Sequence, residues 1–533
     1  MEISKIGDAE ADSLQAARSH LEAAISMAKQ GDALHARQKV QAEIDAFDQD
    51  IEVLHKAGVL MRLCEDDEAA LKYFHKVLTL NPGFHFSEIE IGDIYAERGD
   101  KKEALGWYLK AKESAPSYRV SYIRAAKIEY ELGHAERGLD LLEELHRQAP
   151  SDVQCNLMRA NFLNFLDKGD QQIAVLSEMI ASNCDDQDVH FSYLQALTET
   201  GQYHAVVSHA QSLTPEAGSR FEILVAAFSG HAQLALASHT DELVAAAVQR
   251  EHTESWLTGA AAFQQLRAAI DENRPFSLIR LGDGEARFLT YFDPQARDLI
   301  LPIEAHGILE LHWDNWFGRP LPAASEGGVR DLYSLFREAI NDADILGVTP
   351  SGRYVRDNIH RGYLGVQERI LAERMERPHA PKFASAFVHA ELHRVSPFYQ
   401  GLLAGADFLG VVSPHPGLAE RLARFHGIDL FREWLVPGES RLPEAVRGRS
   451  GSAHFPDRFN ELMSTLQVPK RGAVFLVAAG LLGKIYCHRI KQLGGIALDV
   501  GACVDAWMGF KTRPGEFEPE KEWILPAKIT NGT

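Results

Sequence analysis

The chain has 533 residues, of which 45% are hydrophobic and 24% charged, as in a folded globular protein with more than one domain. A formal net charge of −20, with no long run of Lys or Arg, argues against a nucleic-acid partner. The first residues lack the apolar stretch of a signal peptide, and no window is apolar enough to span a membrane. The five cysteines are scattered without paired spacing, so we expect reduced thiols and a cytoplasmic location.

The N-terminal half repeats with a fixed period. Pro82, Pro116 and Pro150 are spaced by 34 residues, the period of tetratricopeptide repeats, in which each unit is a helix–turn–helix. Proline ends the second helix of each unit because it cannot continue an α-helix. We predict a helical repeat domain over residues 1–250. Gly169 falls two residues late, which predicts a short insertion in one of the later units.

Arrays of this kind expose a concave surface that usually binds a peptide or a protein. We therefore expect the repeats to bind a protein or a glycan-assembly partner. The alternative is that they drive homo-oligomer formation or shield the second domain.

From residue 255 the pattern changes to short apolar runs separated by amphipathic segments. This alternation predicts an α/β fold with a doubly wound, mostly parallel sheet. We place this domain at 255–515 and a C-terminal tail at 516–533. The predicted strands cover residues 276–281, 343–348, 406–412, 473–478 and 495–500.

Two carboxylates follow the first predicted strand. Asp283 and Glu285 stand in a Gly-Asp-Gly-Glu sequence, in which Gly282 and Gly284 permit close approach of a ligand. Open α/β sheets bind ligands at the carboxyl ends of their strands. A pair of carboxylates there suits a divalent cation that holds a diphosphate. The alternative is an ordinary turn in which Glu285 stabilises the start of a helix.

A glycine-rich segment with one lysine lies between a later strand and its helix. Backbone N–H groups near Gly480 and Gly483, together with the Lys484 ammonium, suit a phosphate. Ile485 stands where a Walker A loop requires Ser or Thr, so an ATPase is not indicated. The alternative is a helix cap with a solvated lysine.

Several other polar residues stand near predicted strand ends. Asp499 lies at the end of the last predicted strand and Asp505 follows it, and either one is a candidate general base for an acceptor hydroxyl, although a turn aspartate is the simpler interpretation. Arg280 and Arg353 are candidate ligand contacts, as is His415 between two prolines.

Together these motifs resemble the GT-D-type glycosyltransferases. Residues 277–285 are similar to the hallmark of that family, and residues 479–484 and 494–501 are similar to its second block. The resemblance implies a Rossmann-like domain and a nucleotide-sugar donor. It also implies that Asp283 and Glu285 bind Mn²⁺ or Mg²⁺, which holds the diphosphate of the donor.

The chain departs from the family pattern after Gly501, where the expected acidic and aromatic stretch is reduced to Asp505 and Trp507. The general base is therefore open between Asp499 and Asp505. The predicted catalytic residues are Asp283, Glu285 and Asp505. The predicted substrate contacts are Arg280, Gly282, Gly284, Arg353, Gly480, Gly483, Lys484 and Asp499.

The sequence thus predicts a metal-dependent glycosyltransferase that moves a sugar from a nucleotide-sugar to an acceptor, and we expect the repeats to recruit a protein acceptor. One alternative is transfer to a surface polysaccharide or a lipid-linked glycan. Another is a non-catalytic scaffold whose α/β domain is a relic.

Overall fold

The computed structural model describes residues 2–322, 328–376, 381–447, 453–513, 517 and 520–526. They divide into two compact units, Met1–Ala196 and Leu197–Thr533. Part of the predicted tail at 516–533 lies outside the described residues.

The first unit is built from helices, and successive helices pack against each other. They are Glu2–Lys29, Ala33–Ala46, Ile51–Leu63, Asp67–Leu80, His85–Glu97, Lys101–Ser114, Arg119–Glu131, Ala135–Gln148, Val153–Phe165 and Gly169–Ala181. The next helix, Gln187–Glu199, begins in the first unit and ends in the second.

The repeat keeps its register, so the predicted insertion is wrong. Gly169 begins a helix 34 residues after Ala135 begins the equivalent helix of the preceding repeat. The turn before the second helix of a repeat needs a residue in the left-handed conformation. In two earlier repeats that residue is a glycine, Gly99 or Gly133, with φ of 82° and 83°. Asp167 takes the same conformation with φ of 57°, and aspartate tolerates it better than most residues. In this repeat Asp167 therefore takes the place of the glycine, and the 34-residue period is unchanged.

Close helix packing explains the small residues of the repeats. An ideal Cβ on Gly58 would stand 2.4 Å from the Phe74 ring, and one on Gly92 would stand 2.5 Å from the Tyr108 ring. Both aromatic side chains are fully buried. The two helices of each of these repeats can therefore approach only because one of them carries no side chain at the contact.

The second unit begins with helices that precede the α/β domain. Tyr203–Ser212, Arg220–Ala237 and Thr240–Glu251 all belong to it. The middle helix packs against Pro302–Phe317 and Arg361–Met375. The last part of the predicted repeat domain, residues 197–250, is thus part of the compact unit that contains the sheet.

No single helix among the described residues has both the length and the apolar composition to cross a membrane. One pair of helices, Arg220–Ala237 and Thr240–Glu251, meets these criteria together, with a bend of 75° between them.

The second unit contains an 8-stranded sheet in which all paired strands run parallel. The strand order is β1-β4-β3-β2-β8-β7-β5-β6. The strands are β1 (Trp256–Leu257), β2 (Phe276–Arg280), β3 (Ile345–Val348), β4 (Lys382–Ser385), β5 (Phe408–Ser413), β6 (Leu430–Leu435), β7 (Val474–Val477) and β8 (Ile496–Asp499).

The other helices of this unit connect these strands or follow β8. They are Gly259–Asp271, Asp283–Phe292, Pro294–Leu299, Pro302–Phe317, Gly328–Asp342, Ser351–Arg356, Arg361–Met375, Val388–Val395, Gln400–Leu403, Leu418–His426, Glu444–Arg447, Phe459–Thr465, Gly480–Gln492 and Cys503–Trp507. Short helical turns lie at Pro397–Tyr399, His454–Arg458 and Glu520–Trp523.

The central strands are buried on both faces. In β2, Leu278 belongs to one apolar cluster and the next residue, Ile279, belongs to the other. Ile345 and Leu346 of β3 alternate in the same way. Strands covered by helices on both sides consist of nearly continuous apolar residues, which is why the five predicted strands are confirmed. The doubly wound α/β fold class is confirmed with them.

The last described residues pack on the α/β unit. Trp523 is 2% exposed and stacks on His393, with ring centroids 3.9 Å apart. The Leu525 N–H donates to the Trp507 carbonyl at 3.0 Å. These residues of the predicted tail are therefore part of the apolar core.

Candidate functional site

A cavity of about 390 Å³ opens at the carboxyl edge of the sheet. Segments that follow β2, β3, β4, β5, β6, β7 and β8 all contribute to its wall. The predicted site residues that line it are Arg280, Gly282, Asp283, Gly284, Glu285, Arg353, Gly480, Lys484, Asp499 and Asp505. Gly483 is not among the lining residues, and its N–H donates to the Ala479 carbonyl at 3.1 Å inside a helix.

The turn after β2 is held by its own residues. The Gly282 N–H donates to Glu285 Oε2 at 2.9 Å, which caps the helix Asp283–Phe292. An ideal Cβ on Gly284 would stand 2.7 Å from the Trp316 ring. The start of the helix can therefore lie this close to the ring only because residue 284 has no side chain.

Glu285 belongs to a buried ion cluster. Lys484 Nζ lies 2.6 Å from Glu285 Oε1 and 3.3 Å from Asp499 Oδ2. Arg280 Nη2 lies 3.3 Å from Asp499 Oδ1. Burial favours neutral forms, but the carboxylates raise the pKa of Lys484, and Arg280 and Lys484 hold the pKa of Asp499 below its ordinary value. The cluster joins the ends of β2 and β8 with the helix after β7.

Arg280 is fixed by more than its ion pair. Its Nε donates to the Asp499 carbonyl at 3.2 Å, and its Nη1 donates to the Ala386 carbonyl at 3.0 Å. Gly501 has a positive φ of 45°, and an ideal Cβ there would stand 1.9 Å from Arg280 Nη2. The glycine of the second sequence block therefore makes room for the arginine of the first block.

Asp283 takes part in a different chain of contacts. Its Oδ2 lies 3.1 Å from His360 Nε2, and His360 Nδ1 lies 2.8 Å from Asp357 Oδ1. Asp357 in turn pairs with Arg353 at 2.9 Å. Burial works against both charged forms, yet the His360 contact holds the pKa of Asp283 well below its usual range, and the carboxylates raise the pKa of His360.

The structure adds Glu439 to the predicted set. Glu439 lies in the segment after β6 and lines the cavity. An ideal Cβ on Gly480 would stand 3.0 Å from Glu439 Oε1, while Arg513 Nη2 lies 3.9 Å from Glu439 Oε2. Burial raises the pKa of Glu439, and Arg513 offsets this effect only in part. No sequence motif marks this residue, because it follows an edge strand that was not predicted.

Asp505 is held by two partners. His415 Nε2 lies 2.6 Å from Asp505 Oδ1, and the Thr512 hydroxyl donates to Asp505 Oδ2 at 2.7 Å. His415 is fully buried and stacks on Phe510. The position of His415 after a strand was visible in the sequence, but its pairing with Asp505 was not.

Asp283 and Glu285 both line the cavity but have different partners. Both oxygens of Glu285 have partners, Gly282 N–H and Lys484 Nζ. The Asp283 side chain is 37% exposed and lies at the cavity wall. Within the described ranges, no group of three or more His, Cys, Asp or Glu residues is arranged to hold a metal.

A family model for a GT-D fold-like domain matches residues 257–507. No curated protein sequence matches the chain. Matching solved structures include MamA (14% identity, 29% of this chain and 91% of that chain, TM-score 0.27). They also include YrrB, a TPR protein with an unusual peptide-binding site (13% identity, 32% and 88%, TM-score 0.28). A third is a tetratricopeptide repeat protein from Parabacteroides merdae (13% identity, 42% and 88%, TM-score 0.31).

These TM-scores are too low to support a fold assignment, so the assignment of the repeats depends on their helix spacing and packing. Residues 257–507 form a GT-D-like domain with a glycosyltransferase-like fold, and in this chain the domain follows an array of tetratricopeptide-type helical repeats.

Proposed function

We propose that this chain is a glycosyltransferase and that the cavity binds the diphosphate of a nucleotide-sugar. The observation that carries the proposal is the position of Asp283. It is an ionised, partly exposed carboxylate at the carboxyl edge of a parallel sheet, where ligands of such folds bind. The match of the surrounding domain to the GT-D-like family supports the same reaction class.

Arginine side chains are the proposed partners of the diphosphate. Arg353, Arg441 and Arg513 line the cavity together with Asp283. Guanidinium groups bind phosphate oxygens with paired hydrogen bonds. They also stabilise the negative charge that grows on the nucleoside diphosphate as the glycosidic bond breaks. The phosphate role predicted for Lys484 passes to these residues, because Lys484 is buried between Glu285 and Asp499.

A divalent cation fits this arrangement only together with the donor. Mg²⁺ sites commonly use one or two carboxylates and take other oxygens from water and substrate phosphates. Asp283 is the residue that would hold Mn²⁺ or Mg²⁺, and Glu285 would join it only after leaving Lys484. When bound, the cation would neutralise charge on the departing diphosphate.

Two carboxylates are candidates for the general base. The base takes the proton of the acceptor hydroxyl while the new C–O bond forms and the bond to the diphosphate breaks. Glu439 fits this role better than Asp505, because both oxygens of Asp505 have protein partners. Asp499 is the weakest candidate, since Arg280 and Lys484 bind it in the core.

The repeat array is proposed to recruit a protein acceptor. Its support is the regular helix spacing of the first unit, which is the architecture of proteins that bind peptides along a concave surface.

Nucleotide-sugars should raise the melting temperature of the chain, since a ligand that binds only the folded state stabilises it. The measurement is a thermal-shift screen of UDP-, GDP-, ADP- and dTDP-sugars with and without Mn²⁺. We expect a shift with one nucleotide class that is larger with Mn²⁺ and is lost in Asp283→Asn. Asp298→Asn, at an exposed position of the same unit, is the matched control. No shift with any donor, or a full shift in Asp283→Asn, would contradict the proposal.

Glu439→Gln should slow the release of nucleoside diphosphate from the donor by about 10²- to 10⁴-fold and leave donor affinity unchanged, because an amide cannot accept the proton. In the unmodified chain the rate should fall as pH drops through the raised pKa of Glu439. Glu444→Gln, at an exposed position, serves as the control. An unchanged rate in Glu439→Gln would transfer the base role to Asp505.

Lys484→Met should destabilise the second unit by about 3–5 kcal/mol, because it leaves the Glu285 and Asp499 carboxylates buried without their shared cation. Lys470→Met removes an exposed ion pair with Asp407 and should cost only about 0–1 kcal/mol. Denaturant unfolding measures both. If Lys484→Met kept full stability and lost only donor affinity, Lys484 would be a phosphate ligand.

A further inference from the structure

One wall of the cavity depends on residues that lie upstream of the GT-D-like domain. This wall segment, residues 351–360, contains Arg353, which lines the cavity, and His360, which contacts Asp283. Its only helix, Ser351–Arg356, is six residues long. A helix of this length is not stable by itself, so it needs contacts from the rest of the protein.

The first contact is at the start of the wall segment. Glu251 Oε1 accepts a hydrogen bond from the Ser351 N–H at 2.6 Å, and Glu251 Oε2 accepts one from the Ser351 hydroxyl at 2.6 Å. The carboxylate thus caps the helix that carries Arg353. Glu251 ends the helix Thr240–Glu251, before the first residue matched by the family model.

The second contact is a buried ion pair. Arg250 donates two hydrogen bonds to Glu368, at 2.6 and 2.8 Å, and the side chains are only 4% and 5% exposed. The Tyr354 hydroxyl of the wall segment donates to the same carboxylate. The paired fork geometry fixes Glu368, and Glu368 in turn fixes Tyr354.

The third contact surrounds Asn358. Its carbonyl accepts hydrogen bonds from the Tyr203 hydroxyl and from His231 Nε2, both at 2.9 Å. Its side-chain amide donates to the Glu199 carbonyl at 2.8 Å. Four helices that precede the α/β domain therefore supply contacts to the wall segment, one of them at its start and middle and the other three at Asn358 near its end.

We propose that residues 199–251 are positioning elements of the active cavity, which hold the wall segment so that His360 keeps Asp283 directed to the ligand. The role of the cavity as a donor site rests on the proposed function, but the positioning role does not. Because these residues precede residue 257, the functional unit is longer than the family domain.

Hydrogen–deuterium exchange of the full chain tests this role without a ligand. The double variant Tyr203→Phe/Glu251→Ala removes one hydrogen bond to Asn358 and the cap on Ser351. We expect faster exchange in peptides covering residues 351–360 and also in peptides covering 282–289, which the substitutions do not touch. If the contacts had only a local structural role, exchange would be faster only in the peptides covering residues 351–360.

The matched control is Tyr291→Phe/Glu254→Ala, in the same unit, since neither side chain makes a hydrogen bond or an ion pair within the described residues and phenylalanine keeps the ring that lies beside Arg297. Restoring an acceptor with Tyr203→Phe/Glu251→Gln should recover part of the protection. Unchanged exchange at 351–360 would overturn the contact itself. Faster exchange there with no change at 282–289 would overturn the positioning of Asp283.

A second measurement separates this proposal from the donor function. Calorimetric titration with UDP, GDP, ADP and dTDP, each with Mn²⁺, is run on the unmodified chain, on Tyr203→Phe/Glu251→Ala and on the control Tyr291→Phe/Glu254→Ala. We expect about tenfold or greater loss of affinity in Tyr203→Phe/Glu251→Ala alone, since misplaced binding groups lose most of their effect. If the unmodified chain binds none of them, the donor function fails and the exchange result still decides the positioning role.

Discussion

The buried ion cluster of Glu285, Lys484, Asp499 and Arg280 is the interaction on which the rest of the site depends. It brings two sequence blocks, separated by about 200 residues, to the same edge of the sheet. Charges in an apolar interior are tolerated only when they are paired and hydrogen-bonded. The cluster therefore has to assemble completely, and once assembled it fixes the relative positions of β2, β8 and the helix that begins at Gly480.

This constraint decides which groups remain for chemistry. Lys484 and Glu285 neutralise each other, so neither is available to a ligand while the cluster is intact. The carboxylates left at the cavity wall for a ligand are Asp283, which His360 orients, and Glu439, whose Oε2 lies 3.9 Å from Arg513 Nη2. The pKa of Asp283 is held low and the pKa of Glu439 is raised, so the two carboxylates suit different roles in one reaction.

Much of the architecture was predictable because buried parallel strands are nearly continuous apolar runs and end at one edge. β6 was not, because the charged residues Arg432 and Glu433 interrupt its apolar run. The partner of Glu285 was not predictable either, since it depends on how far the Lys484 side chain reaches in three dimensions. His360 and Glu439 lie in connections without a motif, and only the folded chain brings them to Asp283 and Gly480.

The most direct test of the central claim is a crystal structure of the full chain with Mn²⁺ and the nucleotide-sugar that stabilises it most. The account predicts a diphosphate at the cavity wall beside Asp283 and Arg353, with Lys484 still paired to Glu285. A diphosphate bound directly by Lys484, with the ion cluster open, would contradict the assignment of roles. A ligand outside this cavity would contradict the account as a whole.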